Sequence, residues 1–157
     1  MRIRKERTLQ NIYLACQEEG SFLQLERADA DQIRDLLNVA LMDFAAAQEW
    51  SVKTPKESGQ WNALYKIFYD VLHGLSEAFI AFDALKIKTH ECLFAYLCEK
   101  HPELELNWDF FEKVRTKRNG TQYYGRPLIF QDWKEVEVQM LLYIKTLKKA
   151  IEEKLGE

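Results

Sequence analysis

The fold is decided by residues 61–85, WNALYKIFYDVLHGLSEAFIAFDAL, which form the longest stretch of apolar periodicity in the chain. Apolar side chains recur there every three or four residues, the spacing of one helix face. Gly74 interrupts this helix near its centre, where glycine costs about 1 kcal/mol relative to alanine, so it predicts a close helix crossing. The stretch therefore predicts a long core helix. Its apolar face consists of Trp61, Leu64, Tyr65, Phe68, Leu72, Leu75, Phe79 and Phe82.

The segments before this helix have the same period. The first, from Leu9 to Cys16, predicts a short helix that Gly20 ends. Residues 29–50 predict a second helix, whose start Asp29 or Asp31 can cap. Residues 51–60, SVKTPKESGQ, contain proline and glycine without an apolar period, and they predict a loop.

The segments after it continue the pattern. Residues 85–88, LKIK, are interpreted as a link to Thr89, which caps a helix that Pro102 ends. Asn107 can cap the next helix, WDFFEKVRTKR. Asp132, with Glu135 in capping-box spacing, is predicted to start a last helix that reaches residue 155.

These segments predict about six helices and no strand. The fold class is therefore all-α: an antiparallel up-and-down helical bundle of four to five core helices plus an N-terminal helix. The length of 157 residues predicts a single domain. Within it, residues 1–28 are an N-terminal helical extension and residues 31–155 the core bundle.

Composition limits the function. The net charge is −3, so contact with a polyanion requires a local basic patch. No apolar run approaches the roughly 18 residues of a membrane span, and the basic start lacks the apolar region of a secretory signal. Cys16, Cys92 and Cys98 cannot all pair with one another and are interpreted as small buried hydrophobic residues. We therefore expect a cytoplasmic protein without membrane contact.

A metal site is the first chemistry to consider. His90, Cys98 and His101 project within about 80° on one helix wheel. The two histidines are 11 residues apart, roughly 16 Å along the axis, which is too far to share a metal ion. We interpret them as surface histidines beside a core cysteine, and we expect no metal and no cofactor, since phosphate-loop and nucleophile-elbow motifs are also missing.

Residues 115–127, RTKRNGTQYYGRP, are the one stretch unlike ordinary helix. They allow two interpretations. Asn119-Gly120 is typical of a turn that closes a helix whose last residues are basic. Alternatively, Arg115 and Arg118 contact phosphates and Tyr123 or Tyr124 stacks on an unpaired base.

A family resemblance extends the second interpretation. The chain resembles HEPN-domain proteins (higher eukaryotes and prokaryotes nucleotide-binding) over residues 31–155. The resemblance rests on the long aromatic-rich helix from residue 61 to residue 90, on the helix ending in RTKRN followed by RNGTQYYG, and on the closing helix 132–155.

The resemblance implies a bundle of four or five helices, frequently a homodimer, with the arginine-asparagine motif facing a cleft between two chains. Many members are metal-independent ribonucleases that act as toxins, and many are associated with a nucleotidyltransferase-like protein. Their motif continues with a histidine four to six residues after the arginine. Here Arg118 and Asn119 match, whereas Tyr123 occupies the position of the histidine.

This departure separates three hypotheses. The first is a non-catalytic HEPN-type module that binds nucleotide or RNA, or serves as an interaction module in a toxin–antitoxin pair, through Arg115, Arg118, Asn119, Tyr123 and Tyr124. The second is a metal-independent ribonuclease in which Tyr123 or Tyr124 replaces the histidine and acts with Arg118, Tyr123 being the residue at the matching position. Since a tyrosine pKa near 10 makes a poor base at neutral pH, the first hypothesis is preferred. The third is a structural oligomerisation bundle, and the four tryptophans and nine phenylalanines suggest a homodimer interface.

Overall fold

The computed structural model describes residues 6–156, with only the backbone described at residues 121–123. Six α-helices make up most of this part of the chain, which confirms the all-α helical bundle. The elements in chain order are α1 (Leu9–Glu18), β1 (Phe22–Gln24), α2 (Ala30–Lys53), α3 (Trp61–Ala81), β2 (Leu85–Ile87), α4 (His90–Lys100), a 3-10 turn (Pro102–Leu104), α5 (Trp108–Tyr124) and α6 (Phe130–Leu155).

Helix α3 lies at the centre of the bundle, between α2 and α6, and its other neighbours are α4 and α5. Phe68 of α3 stacks on Trp133 of α6, with ring centroids 4.1 Å apart. The predicted close crossing at Gly74 is confirmed, because a Cβ atom added there would lie 3.7 Å from Ala40 Cβ of α2. Helix α1 packs on α4, so the N-terminal segment shares the same core.

The prediction of no strand is wrong. The strands β1 and β2 pair antiparallel, with Leu23 opposite Lys86. Each strand has three residues, which is too short for an alternating pattern to stand out. Their pairing joins segments about 60 residues apart, so the LKIK link becomes a strand only through a partner that is distant in sequence.

The helix caps are partly as predicted. Asp29, Thr89 and Asn107 accept hydrogen bonds from the first turns of α2, α4 and α5. The prediction that Asp132 begins the last helix is wrong: α6 starts at Phe130, and the Asp132 carboxylate accepts the Ile129 N–H at 2.9 Å. Asp132 is thus the third residue of α6, and Ile129 is the N-cap residue.

The predicted turn at Asn119-Gly120 is also wrong. Helix α5 continues to Tyr124, and Gly125, with φ of +65°, takes the left-handed position after it. The cost of glycine within a helix is offset by contacts on both sides of this last part of α5. Lys117 forms an ion pair with Asp132 of α6 at 3.0 Å, and Arg118 lies on Tyr69 of α3.

The cysteines are buried as predicted, but two of them do not remain free thiols. Cys16 of α1 and Cys92 of α4 form a disulfide, with Cα atoms 5.7 Å apart, and Cys98 is free. The two partners are 76 residues apart in sequence, and the packing of α1 on α4 brings them together. Within the described part of the chain, no helix has both the length and the apolarity needed to cross a membrane.

Candidate functional site

Arg118 projects from α5 onto α3. Its guanidinium carbon lies 5.0 Å from the centre of the Tyr69 ring, in a cation–π contact. Its Nη2 atom is 3.4 Å from the Asp70 carboxylate, and its buried Nε has no hydrogen-bond partner among the side chains that the structure describes. The side chain is about one-quarter exposed, at 26%. The aromatic ring thus positions a guanidinium whose one ion pair within the described part of the chain is long.

Two histidines extend this arrangement. The Tyr69 hydroxyl is hydrogen-bonded to His90 Nδ1 at 2.9 Å, and the rings of His73 and His90 are 3.8 Å apart. Helices α3, α4 and α5 therefore bring together one guanidinium, one carboxylate, one phenol and two imidazoles. We call Tyr69, Asp70, His73, His90 and Arg118 the Arg118 cluster.

Burial and charge set the protonation of the Arg118 cluster. Burial, with the nearby His90 and Arg118, lowers the pKa of His73 to about 4. Burial and Arg118 lower the pKa of His90, although Asp70 opposes them. Burial raises the pKa of Asp70 and of Tyr69, against the effect of Arg118. At neutral pH both imidazoles are therefore neutral, and Tyr69 keeps its proton.

This arrangement suits an anionic ligand with hydroxyl groups. Arg118 offers N–H donors in a planar fork that fits a phosphate. A neutral imidazole can accept a proton at one ring nitrogen and donate at the other. The Tyr69–His90 hydrogen bond is compatible with both tautomers of His90: if Nδ1 donates to the Tyr69 oxygen, Nε2 is left as a base, and if the Tyr69 hydroxyl donates to Nδ1, Nε2 carries the proton.

Arg115 has a different environment. Its guanidinium is bonded to Glu91 at 2.7 Å and to Glu112 at 2.8 Å, and Arg7 binds the same two carboxylates. The Arg115 side chain is only 14% exposed. Its charge is therefore compensated within the protein, in a network that joins α4, α5 and the segment before α1.

Of the remaining predicted residues, Asn119 and Tyr124 are not part of the Arg118 cluster. Asn119 is partly buried on α5. The Tyr124 ring is 86% exposed and lines a cavity of about 810 Å³ together with Lys117 and Arg126, and Arg118 is not among the described residues that line it. The Tyr123 side chain lies outside the described residues. The structure thus separates Tyr124 from the Arg118 cluster.

The sequence interpretation missed Tyr69, Asp70 and His73 as site residues, and it was wrong about two histidines. His90 is partly buried in the cluster rather than a surface residue. His101, with 12% of its side chain exposed, is bonded to Asp83 at 2.6 Å and to Glu103 at 2.7 Å. An available signal was that Asp70 and His73 are three residues apart, which places them side by side on the surface of α3.

The chain matches no protein-family model, no curated protein and no solved structure. The function must therefore be argued from the site itself.

Proposed function

We propose that this protein is a HEPN-type module that binds nucleotide or RNA, with Arg118 as the group that contacts phosphate. The observation that supports this most is the contrast between its two central arginines. Arg115 is compensated by short bonds to two carboxylates, whereas among the described side chains Arg118 lies on an aromatic ring and has one ion pair, at 3.4 Å. Arg118 therefore keeps most of its capacity to bind an anion.

Asp70 is the competitor for this guanidinium. A phosphate that approaches Arg118 meets the carboxylate 3.4 Å from Nη2. Burial raises the pKa of Asp70 and Arg118 lowers it, so Arg118 is the neighbour that most favours the charged carboxylate. Replacing Asp70 with asparagine removes the competing charge and keeps the shape of the side chain.

The test is the affinity for single-stranded RNA and for ATP, measured by fluorescence anisotropy and calorimetry in EDTA. We expect Arg118→Ala to weaken binding about tenfold or more, and Arg118→Lys to recover only part of it, because lysine lacks the planar fork. Asp70→Asn should strengthen binding. Arg126→Ala, which removes an exposed cation outside the cluster, is the matched control and should change affinity less than about twofold. Equal affinities for wild type and Arg118→Ala would refute the proposal.

A second candidate is a metal-independent ribonuclease, and the neutral imidazoles beside Arg118 favour it. In such a reaction the base removes the ribose 2′-hydroxyl proton, the 2′-oxygen attacks the phosphorus, and the 5′-oxygen leaves with a proton. The products are a 2′,3′-cyclic phosphate and a 5′-hydroxyl. His90 is better placed than Tyr124 to act as the base, because it belongs to the Arg118 cluster.

The two candidates are separated by incubating RNA with the protein in EDTA. The binding module leaves RNA intact. Cleavage by the wild type that is lost in both Arg118→Ala and His90→Gln would refute the binding module and support the ribonuclease. Cleavage that is lost in Tyr123→Phe would instead support a reaction in which a tyrosine is the base. If RNA is neither bound nor cleaved, the structural oligomerisation bundle is the function that remains.

The proposal includes a cytoplasmic homodimer and a nucleotidyltransferase-like or toxin–antitoxin partner. The aromatic residues no longer support the dimer, because Trp61, Trp108 and Trp133 are buried in the core. Better support comes from Val138 and Leu142, which are 81% and 56% exposed and lie four residues apart on α6. Light scattering should give the mass of two chains, and Val138→Lys should give the mass of one.

A further inference from the structure

The first turn of α4 connects three parts of the protein through consecutive residues. His90 is bonded to Tyr69 of the Arg118 cluster. Glu91 is bonded to Arg115 of α5 at 2.7 Å. Cys92 is joined to Cys16 of α1 by the disulfide. A movement of this turn would therefore change the site, the ion-pair network and the position of α1 together.

The disulfide is a covalent link between α1 and this turn. Cys16 and Cys92 are 2% and 4% exposed, so the cross-link lies inside the α1–α4 contact. The neighbouring ion pair between Arg7 and Glu91 is 2.8 Å long, but the Arg7 side chain is 62% exposed. An exposed ion pair contributes little to stability, so the buried disulfide is the stronger of these two links.

We propose that the Cys16–Cys92 disulfide is a redox-sensitive clamp on the Arg118 cluster. In the oxidised protein, α1 holds the first turn of α4 and thereby fixes His90 and Glu91. Reduction releases α1 from α4 and loosens both residues. The effect on ligand binding rests on the proposed function, whereas the conformational change does not.

The chemistry is thiol–disulfide exchange with a dithiol reductant. One reductant thiolate attacks a sulfur of the disulfide and forms a mixed disulfide, and the second reductant thiol then displaces the other cysteine. The products are two cysteine thiols and the oxidised reductant, so two electrons and two protons are transferred. Because the sulfurs are buried, the attack requires α1 to open first.

The third cysteine does not interfere with this exchange. Cys98 is 8% exposed, and burial raises the pKa of its thiol to about 12, so it holds little of the reactive thiolate. A cytoplasmic location would also suit a switch, because disulfides in that compartment are usually transient or redox-sensing rather than permanent.

The experiment compares the oxidised and the reduced full chain by thiol counting and by amide hydrogen exchange. The oxidised protein should have one titratable thiol per denatured chain and the reduced protein three. On reduction, exchange should accelerate about tenfold or more in residues 9–18 and 90–93. The Cys98→Ser variant should respond as the wild type does, whereas Cys16→Ser should resemble the reduced protein under both conditions.

RNA affinity is the second measurement, and we expect it to fall about tenfold on reduction. Faster exchange without RNA binding in either form supports the conformational clamp and refutes only the proposed function. Three thiols in the oxidised protein, or unchanged exchange in both segments, would overturn the clamp itself. RNA binding that is equal in both forms would show that the clamp does not act on the Arg118 cluster.

Discussion

His73 should make the protein less stable as the solution becomes acidic. The side chain is 19% exposed on α3, and its ring centroid lies 3.8 Å from that of His90, with the two rings tilted by 32°. Burial and the neighbouring His90 and Arg118 lower its pKa from 6.5 to about 4. His73 therefore binds a proton less readily in the folded state than in the unfolded state.

The direction and the size of the effect follow from this difference. Between pH 6.5 and pH 4 the unfolded chain binds more protons at His73 than the folded chain does, so stability rises with pH. The contribution is fully present above pH 6.5 and is lost as the pH falls to 4. At about 1.4 kcal/mol per pH unit, the difference corresponds to a loss on the order of 3 kcal/mol.

The assay is denaturant unfolding of the wild type and of His73→Gln at pH 7 and at pH 4. Glutamine remains neutral and keeps a polar side chain of similar length. Any constant cost of the substitution cancels when the change between the two pH values is compared. Asp70, Glu77 and His90 titrate in both proteins, so their contributions largely cancel as well.

From pH 7 to pH 4 the free energy of unfolding should fall in both proteins. We expect the fall to be about 3 kcal/mol smaller in His73→Gln than in the wild type. NMR titration of the His73 ring gives an independent measurement, with an expected midpoint near pH 4. A midpoint above pH 6, or equal losses in the two proteins, would refute the account of a desolvated imidazole beside Arg118.

Three further predictions concern stability and the division of the predicted site. Gly74→Ala should raise the free energy of unfolding by about 0.5–1 kcal/mol, because the new methyl group would make an ordinary contact with Ala40; Gly20→Ala, at φ of +70°, should lower it by about 1 kcal/mol or more. Arg115→Ala should cost about 1–3 kcal/mol by urea unfolding, because it leaves partly buried carboxylates without their main partner; a loss below about 0.5 kcal/mol would contradict this. Tyr124→Ala should change stability by less than about 0.5 kcal/mol, since the ring is 86% exposed, and should leave RNA affinity unchanged if Arg118 alone anchors the phosphate.

The helices could be predicted from the sequence because their determinants are local. The apolar period of α3 and the caps Asp29, Thr89 and Asn107 act over one or two helical turns. The strands and the disulfide depend on contacts between distant segments. A three-residue strand and two cysteines 76 residues apart leave no local signal.

The candidate site also has a part that could be predicted from local sequence and a part that depends on contacts between distant segments. The family resemblance drew attention to Arg118 and Asn119, but it could not indicate which helix Arg118 contacts. Tyr69, His73 and His90 join it through packing of α3, α4 and α5. The Asn119-Gly120 pair was misleading, because turn propensity is a weak local preference that contacts on both sides of α5 override.

The small β1–β2 sheet and the disulfide affect each other through loop closure. Pairing Phe22 with Ile87 closes a loop of about 65 residues in the open chain, but only about 11 once Cys16 and Cys92 are joined. The entropic contribution to the free-energy cost of closing the loop is then lower by roughly 1.5 kcal/mol. The coupling is reciprocal, so a formed sheet favours the Cys16–Cys92 bond by the same amount. Six paired backbone residues thereby help to select which two of the three thiols become oxidised.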